Sequence, residues 1–352
     1  MNAETAHEDI AAMRPGSTIF YNSSIIKVAP EEVKPGMVMY ALPVEELAKK
    51  ITDAKLRHLL KNLFYVGALS HLYGIEEDVM KSVIKDTFRD KQSAIDANIA
   101  ALQVGIDYAK ENFKKQDAFE FQRSNVNQGK IVTEGNTASG LGAIYAGCTV
   151  VAWYPITPSS SLTESMESYL KKLRMDKDGT ARYAVVQAED ELGAMGMVLG
   201  ASWAGARAMT ATAGPGISLM QELLGLAYYA EIPAVLYNVQ RVGPSTGLPT
   251  RTQQCDVTSC AFASHGDKRH ILLFPSSPKE CFEMGEDAFN LADRMQTPIF
   301  VMSDLDLGMN QWVDDELVYK KPKYDRGKIL NAEQLEKAKD FGRYLDVDGD
   351  GI

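Results

Sequence analysis

The sequence predicts an α/β fold, a doubly wound and mostly parallel sheet preceded by a smaller α+β domain. Two observations carry this expectation. From Lys130 to Met302, short apolar runs rich in β-branched residues alternate with helix-length amphipathic stretches, the pattern of strands joined by crossover helices. Before that, two short strand-like runs are followed by a series of helical patterns, the order expected of a separate α+β unit.

In the first domain, Ser17 to Tyr21 and Met37 to Tyr40 read as strands, set apart by Pro30, Pro35 and Gly36. Helices are expected at Val44 to Ile51, Leu56 to Leu72, Glu77 to Phe88 and Ala94 to Phe113. This gives a domain over residues 1–115 and a polar linker over 116–129, with Ser124 to Gly129 as its boundary. The α/β domain follows over 130–312, and 313–352 reads as a polar tail leading towards a further domain that this chain lacks.

Within the α/β domain a small-residue helix runs from Ala138 to Gly147, followed by the apolar run Thr149 to Trp153. Strands then fall at Tyr183 to Val186, Arg207 to Thr212, Ala234 to Val239, Ile271 to Phe274 and Ile299 to Met302. The intervening helices are Leu192 to Trp203, Ser218 to Tyr229 and Pro278 to Met295. Leu162, Met166, Tyr169 and Leu173 mark another, with Ser161 and Glu164 at capping-box spacing. Near the end, Asp346 to Gly351 resembles the start of a calcium loop but has no closing glutamate, and reads as a turn.

Composition excludes several classes. With 45% hydrophobic and 24% charged residues in 352, the chain reads as globular with a large core. A net charge of −10 with scattered Lys and Arg argues against nucleic acid, and no apolar signal region or membrane-length run is visible, so the cytoplasm is expected. The four cysteines, Cys148, Cys255, Cys260 and Cys281, have neither zinc nor ferredoxin spacing, so no metal site is expected here and any cluster must come from another chain. Buried or incidental thiols are the simplest account of them.

The residues that could carry chemistry cluster where strands give way to helices, which is where open parallel sheets bind ligands. Tyr154-Pro155-Ile156-Thr157-Pro158-Ser159-Ser160 is a loop stiffened by two prolines and furnished with hydroxyls, suited to a small polar ligand, although a ligand-free turn would look the same. Glu189-Asp190-Glu191 places three acids at a helix start, where caps explain one or two; spacing does not say which turns inward to exchange protons. Ala213-Gly214-Pro215-Gly216 either receives a ligand at its exposed amides or is a plain tight turn. Arg241, directly after a buried strand, suits a substrate carboxylate, with a surface ion pair as the alternative; Arg251 in the long loop that follows is a second possible cation. Gly135, Gly140 and Gly142 allow close approach of either a ligand or another helix, and their placement inside the helix is wrong for a dinucleotide fingerprint. That pattern leaves a nicotinamide dehydrogenase a distant alternative.

Taken together, Gly135-Asn136-Thr137-Ala138, Tyr154 to Ser160, Glu189-Asp190-Glu191-Leu192, Ala213 to Gly216 and Asn238-Val239-Gln240-Arg241 resemble the α subunit of the 2-oxoacid:ferredoxin oxidoreductases. The resemblance covers that family's thiamine diphosphate pyrimidine domain over roughly residues 130–310, and residues 1 to about 115 look like the latter part of its γ domain, fused in front as in the 2-oxoglutarate branch. The glycine-rich opening of a complete γ domain and the domain after the pyrimidine domain are not matched.

The resemblance implies a fold of the pyrimidine-binding type and roles for single residues. Glu191 would bond N1′ of the cofactor's aminopyrimidine and favour its imino tautomer; Thr157 would stand beside the reacting carbon and Arg241 would hold the 2-oxoacid carboxylate. Tyr154, Pro155, Ile156 and Gly214 would complete the cofactor site, and Arg251 would join the substrate site. The implied reaction is coenzyme A-dependent oxidative decarboxylation of 2-oxoglutarate to succinyl-CoA with electrons passed to ferredoxin, or its reversal to fix carbon dioxide. Pyruvate, branched-chain or aryl 2-oxoacids are the alternative substrates, and a non-catalytic scaffold subunit is the alternative role. The implied partner is a β subunit holding the diphosphate, Mg2+ and a [4Fe-4S] cluster, in a dimer of αβ heterodimers.

Overall fold

The computed structural model describes residues 3–319, 321, 324–338, 340–346 and 349. The chain divides into two compact units, Met1–Asn125 and Val126–Ile352. In the first, β1 (Thr18–Asn22) and β2 (Val38–Leu42) pair in parallel from Thr18↔Val38 to Asn22↔Leu42. A short helix, Ala6–Ala12, precedes them, and Val44–Ala48, Lys61–Tyr73, Glu77–Phe88 and Gln92–Asn112 follow. Leu42, Leu47, Phe64, Ala68, Ala101 and Ala109 form one core among these elements.

The second unit adds β3 (Lys130–Glu134), β4 (Val150–Trp153), β5 (Ala184–Gln187), β6 (Ala208–Thr212), β7 (Ala234–Gln240), β8 (Ile271–Leu273), β9 (Pro298–Asp304) and β10 (Gln311–Asp315). Six of them form a sheet in the order β5-β4-β6-β7-β9-β8, every pair parallel, which is the doubly wound architecture that the alternating pattern predicts. Both faces are covered. On one, Val151, Met209, Val235, Tyr237 and Val301 pack against Ile144, Leu162, Met166 and Phe289; on the other, Ala208, Leu236, Phe300 and Met302 pack against Met195, Val198, Ile217 and Leu224. Alternate residues of β7 point to opposite cores, so the whole strand is buried and reads as a continuous apolar run.

Several local expectations change. β3 and β10 form a separate antiparallel ribbon, Gln311↔Glu134 to Asp315↔Lys130, whereas the sequence reading places no strand after Met302. Trp312 and Val313 are adjacent and both exposed, so the stretch shows no alternation. The helix expected at Ser218 to Tyr229 is two, Gly214–Leu219 and Gln221–Tyr229, joined at Met220. Ser161 caps nothing: the helix opens at Ser160, and the Ser161 hydroxyl instead accepts from Asn136 Nδ2 at 2.8 Å. The expected turn after Asp346 lies largely outside the described residues; Asp346 Oδ1 accepts from Gly349 N at 2.7 Å.

Gly142 resolves in favour of helix packing. A Cβ there would stand 2.3 Å from the Phe282 carbonyl oxygen, and one on Gly285 would stand 2.6 Å from the Gly142 carbonyl carbon, so Gly135–Tyr145 and Pro278–Met295 cross backbone to backbone. Cys148, Cys260 and Cys281 are buried, and burial pushes their thiols up to about 12; Cys255 is exposed. Among the described residues, no helix is long and apolar enough to cross a membrane, and no group of three or more His, Cys, Asp or Glu is placed to hold a metal ion.

Candidate functional site

The direction of winding reverses between β4 and β6: the chain passes from β4 outwards to β5, then returns to β6 on the other side of β4. Such a switch point opens a crevice at the carboxyl ends of the two strands. Here the opening is pronounced, because β4 and β6 are in register only at Val150↔Ala208 and Val151↔Met209, while β6 and β7 stay paired through Thr212↔Asn238. The loop 154–159 leaves β4, Glu191 follows β5, Gly214 follows β6 and Arg241 follows β7. Four neighbouring strand ends thus deliver four of the segments singled out in the sequence, and the fifth, Gly135 to Ala138, follows β3 of the separate ribbon.

Of the three acids, Glu191 is the one that turns inward. Asp190 is the N-cap, its Oδ1 accepting from Gly193 N at 2.6 Å, and it is exposed, as is Glu189. Glu191 is 5% exposed and accepts no hydrogen bond from any described residue. Its aliphatic stem packs over Gly216, where a Cβ would stand 2.8 Å from Glu191 Cγ and 1.9 Å from Thr212 Oγ1. The glycine therefore makes room for the glutamate.

Arg241 is likewise 5% exposed. Its Nη1 donates to the Thr157 carbonyl, its Nη2 donates to the Thr246 carbonyl at 3.0 Å, and its Nε has no partner. Burial lowers its pKa, and the nearby carboxylates of Asp256 and then Glu191 oppose that fall. No ion pair within 4.0 Å neutralises the guanidinium among the described residues. A buried cation with an idle donor is arranged to meet an anion that the chain does not itself supply.

The loop after β4 is built around one carbonyl. Ile156 O accepts from Ser159 N at 2.9 Å, from Ser160 N at 3.1 Å and from Ser159 Oγ at 3.0 Å. Asn136, fully buried, donates to Pro158 O at 2.9 Å and leaves its Oδ1 unpaired. This fixes the turn and leaves Tyr154, Pro155 and Thr157 exposed at the crevice, with Ile156 half-buried.

The description "Pyruvate flavodoxin/ferredoxin oxidoreductase, thiamine diP-bdg" belongs to a family model that matches residues 141–344. The chain belongs to this family. A second model, "Pyruvate ferredoxin/flavodoxin oxidoreductase", matches residues 1–108. Among relatives of this oxidoreductase family, subunit alpha of 2-oxoacid:ferredoxin oxidoreductase 2 from Aeropyrum pernix is 36% identical over 345 residues, covering 94% of this chain and 52% of that one. The 2-oxoglutarate synthase subunit KorA of Methanothermobacter thermautotrophicus is 49% identical over 171 residues, 49% of this chain and 43% of its own. A solved 2-oxoglutarate:ferredoxin oxidoreductase from Magnetococcus marinus, with 2-oxoglutarate, coenzyme A and succinyl-CoA bound, superposes with a TM-score of 0.80 at 33% identity, over 95% of this chain and 56% of that one. The chain spans about half the length of the curated relatives it matches.

Not every residue singled out in this oxidoreductase sequence converges. Arg251 is exposed and joins the site only through its backbone: its carbonyl accepts from Val242 N at 2.9 Å. Two polar groups that residue chemistry alone did not mark are central. Asn238 and Gln240 sit at the end of β7, both fully buried, and hold Asp256: Asn238 Nδ2 donates to its Oδ2 at 3.1 Å, and its backbone N donates to Gln240 Oε1 at 3.0 Å. The signal was present as amides in a strand otherwise buried and apolar, since such groups need built partners.

Proposed function

We propose that this chain is the α-type subunit of a thiamine diphosphate-dependent 2-oxoglutarate:ferredoxin oxidoreductase. With coenzyme A it converts 2-oxoglutarate to succinyl-CoA and carbon dioxide and passes electrons to ferredoxin, or it runs the reaction in reverse. The observation that carries this is Glu191, a residue 5% exposed at the switch-point crevice whose carboxylate has no hydrogen-bond partner among the described residues. A group with a protonatable ring nitrogen completes it, and the aminopyrimidine of thiamine diphosphate is such a group. When bound, this cofactor supplies the nucleophilic carbon and electron sink that a 2-oxoacid needs to lose carbon dioxide.

The chain's own residues then have defined tasks. Glu191 holds a proton at N1′ of the aminopyrimidine, in a position that Gly216 keeps free. Arg241 takes the substrate carboxylate through its guanidinium, and its bond to the Thr157 carbonyl sets that anion relative to the Thr157 hydroxyl. Tyr154, Pro155, Ile156 and Gly214 bound the cofactor's pyrimidine end, whereas Arg251 supports the loop through its backbone carbonyl. The names of the archaeal relatives and the molecules bound in the Magnetococcus marinus enzyme support 2-oxoglutarate. Pyruvate is the second reading, favoured by the descriptions of both family models.

Partner chemistry completes the assignment. A β subunit supplies the diphosphate and Mg2+ site and a [4Fe-4S] cluster, in a cytoplasmic dimer of αβ heterodimers. Leu192, Met197, Leu219, Leu226 and Tyr229 stay exposed on the helices beside Glu191, an apolar surface for such a subunit to cover. Residues 1–115 act as a partial γ-like domain, 116–129 as a linker, 130–312 as the pyrimidine domain and 313–352 as a tail. The test is anaerobic dye reduction by the chain co-purified with its β partner and coenzyme A, with 2-oxoglutarate or pyruvate. Reduction with 2-oxoglutarate alone supports the assignment, and reduction with pyruvate alone moves the substrate. No reduction in a complex that holds thiamine diphosphate and clusters would leave a scaffold role.

A further inference from the structure

Two side chains from different parts of the fold hold consecutive carbonyls at Thr157. Arg241 Nη1 donates to the Thr157 carbonyl, and Asn136 Nδ2 donates to the next one, that of Pro158, at 2.9 Å. Asn136 stands outside the six-stranded sheet, as the second residue of the helix Gly135–Tyr145 that follows the ribbon strand β3. We propose that Asn136 is a positioning residue for the Thr157 hydroxyl, fixing it relative to the guanidinium of Arg241. The inference rests on the 2-oxoacid reading above, in which Thr157 stands beside the reacting carbon and Arg241 holds the substrate carboxylate.

The amide of Asn136 is fully committed on its donor side. Its two N–H groups match two acceptors, Pro158 O and Ser161 Oγ, the latter at 2.8 Å. It therefore ties the end of the 154–159 loop to the first turn of the helix Ser160–Leu173 and sets the path between them. The amide is itself confined: a Cβ on Gly308, in the helix Leu305–Met309 after β9, would stand 2.6 Å from Asn136 Oδ1. A Cβ on Gly135 would stand 2.4 Å from the Leu307 carbonyl oxygen, so these two helices meet backbone to backbone and leave Asn136 no room to swing. Asn136 is fully buried and its Oδ1 has no partner. That orphaned acceptor offsets much of what two neutral bonds return, so the amide adds little net stability and its contribution is geometric. Without it, Pro158 is free to shift while Arg241 still holds the Thr157 carbonyl. The substrate anion then keeps its site and the hydroxyl loses its alignment, and a displacement of about 1 Å costs on the order of a hundredfold in rate.

The test is a double-mutant cycle in the thiamine diphosphate-loaded complex with the β partner, with kcat and KM for 2-oxoglutarate read by anaerobic dye reduction. Asn136→Ala is expected to lower kcat roughly ten- to a hundredfold with KM changed less than about threefold, a loss of alignment without loss of binding. Thr157→Val removes the hydroxyl at nearly constant shape and lowers kcat by itself. In that background Asn136→Ala should cost less than about threefold more, because the group that it positions is gone. Equal losses in both backgrounds, or a rise in KM with native kcat, overturn the proposal, while turnover by the native complex preserves the 2-oxoacid reading. Native kcat in Thr157→Val overturns the proposal together with the role of Thr157, and a native complex that turns over no 2-oxoacid overturns the reading itself. Should Asn136→Ala fail to fold, Gly308→Ala presses on the same amide from outside and is expected to show the same loss of kcat, again absent in the Thr157→Val background. Native kcat in Gly308→Ala, or an equal loss in both backgrounds, counts against the proposal.

Discussion

Glu191 and Gly216 compete for one volume, since a Cβ on Gly216 would stand 2.8 Å from Glu191 Cγ. The side chain that exchanges the proton in the proposed mechanism is therefore placed by an absent one, on the helix that follows β6.

Gly216→Ala tests that relationship. The added methyl also meets Thr212 Oγ1 at 1.9 Å, so both neighbours must shift, at a stability cost of about 1–3 kcal/mol for overpacking. The expected result is a folded, assembled complex with kcat reduced roughly a hundredfold, because a misplaced acid–base group loses most of its effect. Native kcat in this variant would show that the position of Glu191 is not critical.

Glu191→Gln separates charge from shape. The amide fits the same space, so assembly and melting temperature should stay near native, while turnover falls by roughly 10²–10⁴. Full turnover in a complex loaded with thiamine diphosphate would remove the proton role.

Arg241→Lys keeps a cation but not a fork. A lysine cannot reach the Thr157 and Thr246 carbonyls in the same geometry and still present a planar donor edge. KM for the 2-oxoacid should rise about tenfold or more, and kcat should fall less. A change confined to kcat would argue that Arg241 does not hold the substrate carboxylate.

At the amino-terminal end of β6, opposite these loops, Arg207 is 4% exposed and its Nε donates to Asp293 Oδ2 at 2.8 Å, with Arg326 Nε 3.2 Å from the same oxygen. Arg207 Nη2 also donates to the Asp325 carbonyl at 2.9 Å and to Asn290 Oδ1 at 2.9 Å, so it fastens residues 324–326 to the core. Arg207→Met strands a buried carboxylate and should cost about 3–5 kcal/mol in denaturant unfolding. A loss below about 1 kcal/mol would mean that Arg326 alone satisfies Asp293.

Much of this was legible in the sequence because the strands of a parallel sheet are buried on both faces and carry an unbroken apolar signal. β7 and the helix Pro278–Met295 were located nearly to the residue. The exposed edge strand β5 and the ribbon β3–β10 bury little, and β10 escaped notice for that reason. In the site, the three acids of Glu189-Asp190-Glu191 are equivalent in spacing, and only the helix start, with Asp190 as its cap, determines that Glu191 turns in. Asp256 lies outside every local motif. Its importance comes from Asn238 and Gln240, sixteen to eighteen positions away along the chain, so that no local pattern reports it.

His270 supplies a pH test of the fold itself. It is 7% exposed, its Nε2 lies 3.1 Å from the Ala263 carbonyl, and its ring packs edge-on against Phe300 and Tyr228. Burial holds its pKa below the usual 6.5; the Ala263 bond opposes this and the Lys268 charge adds to it. A lowered pKa in the folded state means that the unfolded chain takes up the proton first. Stability from the neutral ring is thus complete above about pH 6.5 and is lost as the pH falls through that value towards the folded pKa. His270→Phe keeps an aromatic ring between Phe300 and Tyr228 and removes the titration. Between about pH 7.5 and 5.5, the native urea midpoint should fall further than that of the variant. Parallel curves would show that His270 is protonated equally in both states, and that its burial does not govern the acid limb.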